Sequence, residues 1–187
     1  MLEGKTVNLR VMEKEDVDFE ADCFNDIEFW GEYNSPAFEQ ISKSSLIELF
    51  DNPSDFQKVT EWKLFVIEKK DGTKIGLMYH RIYQPYRVMG IGCFLVSSER
   101  GKGYGAEATQ LMVDYLFLSR DIVRVQATTN VENKMARRVL EEVGFKIEGT
   151  IRKLKFVRGV WTDSDLLSIL REEWKEPKIL TKLHEDR

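Results

Sequence analysis

The chain reads as an α+β fold, with one mixed, mostly antiparallel sheet of about seven strands flanked by helices. Three observations predict it. The 187 residues, 42% apolar and 11% aromatic, suffice for one sizeable core, which predicts a single domain over 1–176 and a charged tail at 177–187. Before residue 97 several apolar runs have the length and alternation of strands, three or four of them in a row. After residue 103 the apolar period changes to three and four, and strands and helices then alternate.

Val7, Leu9 and Val11 alternate with polar neighbours, a strand, and the Glu/Asp-rich stretch after them reads as a helix ended by the Gly-Glu-Tyr-Asn-Ser-Pro loop at 31–36. SKSSLIELF (42–50) reads as a second short helix. EWKLFVIEK (61–69) and KIGLMYHRI (74–82) flank Asp71-Gly72, a strong hairpin signal, and VMGIGCFLV (88–96) adds another strand. Ala108, Leu111, Met112, Tyr115 and Leu116 then form one buried helical face. VRVQATT (123–129) is a strand, and Met135, Ala136, Val139, Leu140 and Val143 mark a helix closed by Gly144. The stretches 145–155 and 163–170 form a last strand pair around an Arg-Gly-Val-Trp turn at 158–161.

Composition excludes several functions. Cys23 and Cys93 lie in unrelated segments without CxxC spacing, and His80 and His184 are far apart, so a metal-ligand cluster is not expected and both thiols should be reduced. The longest apolar runs are strand-length and no leader-like segment follows Met1, which predicts a soluble, cytoplasmic protein without membrane contact. A net charge of −4 argues against nucleic acid as a partner. The acidity is concentrated: Glu13, Glu15, Asp16, Asp18, Glu20, Asp22, Asp26, Glu28 and Glu32 stand against Lys14 alone, interleaved with Phe19, Phe24, Phe29 and Trp30. That stretch is either the wet face of a surface helix or a field that attracts a cationic substrate.

The sharpest feature is RGKGYGAEA (100–108), three alternate glycines that run into a helix. A helix start leaves backbone N–H groups without partners and carries partial positive charge, so this turn is a ready anion site. A nucleoside-triphosphatase loop would need Ser or Thr after Gly101-Lys102, where Gly103 stands. A dinucleotide fingerprint would need GxGxxG after the first strand, and here the spacing is GxGxG deep in the chain.

Arg100-Gly101-Lys102-Gly103-Tyr104-Gly105 resembles the (Gln or Arg)-x-x-Gly-x-(Gly or Ala) motif of GNAT acetyltransferases, and Asn130-Val-Glu-Asn133-Lys-Met-Ala136 with Gly144-Phe145 resembles their second cofactor motif. Leu-Glu-Glu-Val-Gly-Phe (140–145), Glu148-Gly149, Trp161-x-Asp163 and Glu173-Trp174 are similar to the RimJ/RimL branch. The resemblance implies a GNAT-like sheet with a V-shaped splay between two central strands, and acetyl-CoA as cosubstrate. It places the pyrophosphate on the amides of Gly101, Lys102, Gly103, Tyr104, Gly105 and Ala106 with Arg100 nearby, the pantetheine arm along Phe94, Leu95 and Val96 and on Asn133, and a phosphate within reach of Arg137. Dimers occur in that branch, so a homodimer is compatible with it.

Acetyl transfer to an amine needs a neutral nucleophile, support for the developing oxyanion and a proton for the leaving thiolate. Amines start at about 7.7–8.0 for an N-terminus and about 10.4 for lysine, so a base or water chain is useful. The tyrosine and serine acids of the resembling enzymes fall on Leu140 and Ala136, and a strand-borne glutamate of the branch falls near Gly90. His80 or Tyr79, on the strand before the central one, and Glu32 are the candidate catalytic groups, with Trp30, Tyr33, Trp161 and Asp163 at the acceptor mouth. The expected reaction is N-acetylation of a primary amine: a protein or peptide N-terminal α-amine by branch resemblance, or a small polycation such as a polyamine or aminoglycoside by charge. A noncatalytic acyl-CoA-binding module is the rival suggested by the absent acids.

Overall fold

The computed structural model describes residues 1–33, 40–53, 62–83 and 87–180. Its sheet has the strand order β1-β2-β3-β4-β5-β6-β8-β7, with β1 at Leu2–Glu3, β2 at Val7–Val11, β3 at Lys63–Lys69, β4 at Lys74–Tyr83, β5 at Val88–Leu95, β6 at Arg124–Asn130, β7 at Lys146–Val157 and β8 at Val160–Leu170. The strand beyond the expected seven is the two-residue β1, too short to show any alternation. All strand pairs are antiparallel except β5 with β6, which is the crossover that α4 (Tyr104–Ser119) makes.

One face of the sheet carries α4. Leu111, Met112, Leu116, Met89, Met78 and Val125 are fully buried there, and α5 (Lys134–Val143) packs beside it. The other face is covered by α1 (Val17–Asn25) and α2 (Ile27–Trp30), with α3 (Lys43–Asp51) packed on α1, around Phe29, Trp30, Val66 and Leu77. The acidic stretch is therefore a single turn of 3-10 helix plus two helices. The Asp26 carboxylate breaks it by accepting from the Glu28 N–H at 2.8 Å. Asn34, Ser35 and Pro36 of the expected loop lie outside the described residues.

Buried Asp16 anchors this acidic layer to the sheet. It takes Arg10 in two hydrogen bonds, at 2.8 and 3.0 Å, and Lys74 at 2.6 Å, and these contacts hold its carboxyl well below the ordinary 3.8 although burial opposes them. At the far end the fully buried Asp114 of α4 accepts from the Trp174 indole and from the main-chain N–H groups of Lys178 and Ile179. Residues through Leu180, 6% exposed, are thereby bound to the domain.

Hairpin chemistry follows the turn residues. Gly72, with φ +83°, closes β3–β4 as expected. The β7–β8 turn is tighter than the expected 158–161. It consists of Arg158 and Gly159, both with positive φ, and Val160 and Trp161 already belong to β8.

Candidate functional site

The site starts where the sheet parts. β5 pairs with β6 only through Val88, Met89 and Gly90, whereas β6 continues to Asn130 against β8. Beyond Gly90 the β6-facing edge of β5 is open. Register says which groups stand on it. The Val96 N–H donates to Ile75 on β4, so by antiparallel alternation Phe94 and Gly92 also spend their main-chain groups on β4, while Leu95, Cys93 and Ile91 face the gap. The Leu95 carbonyl indeed points that way, accepting from Arg100 Nε at 3.1 Å. Of Phe94, Leu95 and Val96, only Leu95 presents its backbone to the gap, and Cys93 is the second group there. The Cys93 side chain turns to the α4 face, where burial pushes its thiol up to about 12, as expected of a small core residue.

The open edge leads into the glycine turn. Gly101 and Gly103 have φ of +74° and +87°, a region costly for residues with a Cβ, and Gly103 is the N-terminal cap of α4. Their missing Cβ atoms would stand in open space. Among the described residues, the main-chain N–H groups of Gly101, Lys102, Gly103, Tyr104 and Gly105 have no protein acceptor, while those of Ala106 and Glu107 bond back to the Gly103 carbonyl. Five unpartnered amides, three in the turn and two in the first turn of a sixteen-residue helix, form a strong anion cradle.

The cationic side chains around this cradle are engaged. Arg100 donates to the carbonyls of Leu95, Glu28 at 2.7 Å and Phe29 at 2.6 Å, strapping α2 to the open strand edge. Lys102 pairs with Glu99 at 3.0 Å, and Arg137 with Glu141 and Asp165 at 3.0 and 3.5 Å. Asn133 caps α5, its Oδ1 accepting from the Ala136 N–H at 3.0 Å, which leaves its side-chain NH2 without a protein partner among the described residues.

On the sheet face opposite α4, a Cβ on Gly92 would fall 2.3 Å from the Tyr79 ring, and one on Gly90 would fall 2.6 Å from the Tyr83 ring. The Gly-Ile-Gly run therefore lets two tyrosines of β4 lie across β5. Tyr79 stacks on Phe94 at 6.3 Å and meets Trp62 edge-on. His80 faces the other way. It is 0% exposed, beside Phe65 and Tyr115 on the α4 side, so the ring belongs to the core and not to the acceptor site. Trp30 is also a core residue, 7% exposed, donating to the Phe24 carbonyl and packed on Phe94, and it supports the floor without lining the mouth.

The wide end of the splay opens into a cleft of about 470 Å³. Glu32 and Tyr33 after α2 form one wall, Asn130 and Glu132 the base, and Arg158, Trp161 and Asp163 of the last hairpin the other wall. This brings together Tyr33, Trp161 and Asp163, three of the four residues expected at the acceptor mouth, with Glu32, one of the candidate catalytic groups. Asp163 also has the structural duty of accepting from the Lys153 N–H at 2.8 Å, across a three-residue bulge in β7. Among the described residues no group of His, Cys, Asp and Glu could hold a metal ion, and no helix is long and apolar enough to cross a membrane.

The acetyltransferase (GNAT) domain family model matches residues 6–146, the stretch that contains the open edge, the glycine turn and all of α5. The chain belongs to the GNAT acetyltransferase family. It is an acetyl-CoA-dependent N-acetyltransferase. Over 185 residues it is 29% identical to a probable N-acetyltransferase, YjcK, of Bacillus subtilis, covering 92% of this chain and 98% of that one. It is 25% identical to the spermidine N(1)-acetyltransferase of Escherichia coli, over 93% of this chain and 91% of that one. The structure of the ribosomal L7/L12 α-N-protein acetyltransferase RimL in complex with coenzyme A superposes with a TM-score of 0.78 over 92% of this chain and 98% of that one, at 18% identity.

Some of this GNAT site was hidden from sequence reasoning. Tyr79, His80, Arg81, Ile82 and Tyr83 alternate, and the apolar Met78 and Ile82 mark the core face, so His80 could have been assigned to the core by parity. Glu132 lay inside the second cofactor motif and Arg158 inside the last turn, neither singled out for the acceptor site, and only the fold brings them to the cleft.

Proposed function

We propose that the acceptor is a small polycationic amine. The observation that carries this reading is the cleft at the open end of the splay. Among the described residues, Glu32, Glu132 and Asp163 supply three carboxylates, Tyr33 and Trp161 two aromatic faces, and Arg158 the one lining cation. Carboxylates and ring faces favour an alkylammonium chain. Glu13, Glu15, Asp18, Asp22, Asp26 and Glu28, all exposed around α1 and α2, extend that field outward. The likeness to a spermidine acetyltransferase agrees with it.

In this reading the amides of residues 101–105 hold the diphosphate of acetyl-CoA, and the exposed backbone of Cys93 and Leu95 pairs with the pantetheine arm as an added strand. The Cys93 N–H then faces the thioester oxygen and stabilises the charge that develops there. Arg100 holds α2 against the same edge, so donor and acceptor walls share one strut. Asn133 offers its free NH2 to the arm.

The test is thiol release from acetyl-CoA with spermidine, an aminoglycoside and a peptide bearing a free N-terminus. The reading expects the polyamine to give the highest kcat/KM, with a KM that rises with salt. A preference for the peptide with no salt dependence would overturn it in favour of an N-terminal α-amine. Tight acetyl-CoA binding without turnover on any amine would support the noncatalytic module.

A further inference from the structure

We propose that Tyr79 is the general acid that protonates the departing thiolate. The proposal rests on the acetyltransferase reading above and supplies the proton donor that Leu140 and Ala136 cannot.

The geometry begins with Gly92. Its absent Cβ would lie 2.9 Å from the Tyr79 hydroxyl oxygen, so the phenol hangs directly over β5. The next residue, Cys93, carries the N–H that faces the gap. A hydroxyl over residue 92 and an amide at residue 93 therefore stand at adjacent positions of β5, one on its face and one on its open edge. Gly92 makes that approach possible, because any side chain there would displace the ring.

The hydroxyl is also uncommitted. Tyr79 has no hydrogen-bond partner among the described residues, whereas the corresponding group on Tyr83 accepts from Arg81 at 2.6 and 3.0 Å. Phe94 and Trp62 fix the Tyr79 ring in place, so its tip is presented rather than mobile. Burial raises the phenol above its ordinary 10, with Arg81 opposing and Tyr83 adding to the rise, so at neutral pH it is protonated and able to donate. His80 is enclosed on the other side of the sheet and Glu32 lines the outer cleft.

The atoms balance. The amine nitrogen forms a bond to the thioester carbon, and the oxygen charge rests on the Cys93 N–H. The C–S bond then breaks, its electron pair stays on sulfur, and sulfur takes the Tyr79 proton to give free thiol. The proton shed by the new amide nitrogen leaves to water in the groove, and the phenolate recovers one from the same water.

The experiment compares wild type, Tyr79→Phe and Tyr83→Phe with acetyl-CoA and the best amine of the panel, together with calorimetric CoA binding and thermal melts. Phe keeps the ring contacts, so Tyr79→Phe should melt like wild type and bind CoA within about twofold, while kcat falls about 100-fold. Tyr83→Phe should stay within about threefold. A wild type that turns over with Tyr79→Phe equally fast would overturn the role of Tyr79 alone. A wild type that binds CoA yet acetylates no amine would overturn the enzyme reading and this proposal together.

Discussion

Along β5 and the glycine turn the groups that face the groove are main-chain amides, at Cys93, Leu95 and residues 101–105, whereas in the cleft below the last hairpin the polar groups are mostly side chains, Glu32, Glu132, Arg158 and Asp163 among them. The first half needs only register and a few glycines with positive φ, so its chemistry is fixed by the fold. The second half can change acceptor by exchanging side chains without disturbing the sheet. Arg100 ties the open strand edge to α2, the helix that precedes the cleft residues Glu32 and Tyr33.

The comparison can be broken on the donor side first. Gly103→Val puts a β-branched residue at φ +87°, at a cost of about 2 kcal/mol or more in strain or in reoriented amides. Calorimetry should show acetyl-CoA affinity down by at least about 30-fold, with polyamine KM little altered.

Removing the anchor of the acceptor layer should give the next largest effect, on stability. Asp16→Ala leaves Arg10 and Lys74 without their buried partner and should cost about 3 kcal/mol in denaturant unfolding. The pH dependence has a definite sign. Asp16 has a depressed folded pKa, so its contribution is complete above its ordinary 3.8 and is lost as pH falls below it, and the variant should have a shallower acid limb than wild type.

A smaller effect sharpens the contrast in the cleft. Glu32→Gln with Glu132→Gln should raise polyamine KM about fivefold at low salt and much less at 0.5 M, leaving acetyl-CoA KM unchanged. Smaller still, Glu20 on α1 is buried and raised to about 7 by desolvation. The folded chain thus holds an extra proton between its ordinary 4.5 and about 7, and stability declines as pH rises through that window. Glu20→Gln should melt higher than wild type at pH 8 and equally at pH 5.

Most of the sheet was legible because its strands alternate and Asp71-Gly72 marks a hairpin, and the donor turn was legible because glycine spacing reports backbone conformation directly. Residues 93 and 95 could not be told from 94 and 96, because which edge of a strand a main-chain group faces depends on pairing with β4, which no side-chain pattern encodes. His80 was open to correction by parity with Met78 and Ile82. The cleft was half legible: Glu32, Tyr33, Trp161 and Asp163 were nameable through the family resemblance, but Glu132 meets them only through the end of β6.

The account depends on the amides at the start of α4 being the donor site. The most direct test is a titration of ¹⁵N-labelled protein with CoA, followed through main-chain amide shifts. The account predicts that Gly101, Gly103, Gly105, Cys93 and Leu95 move together and saturate with one affinity, with Phe94 and Val96 moving less. Saturable CoA binding that leaves those three glycines in place would contradict it.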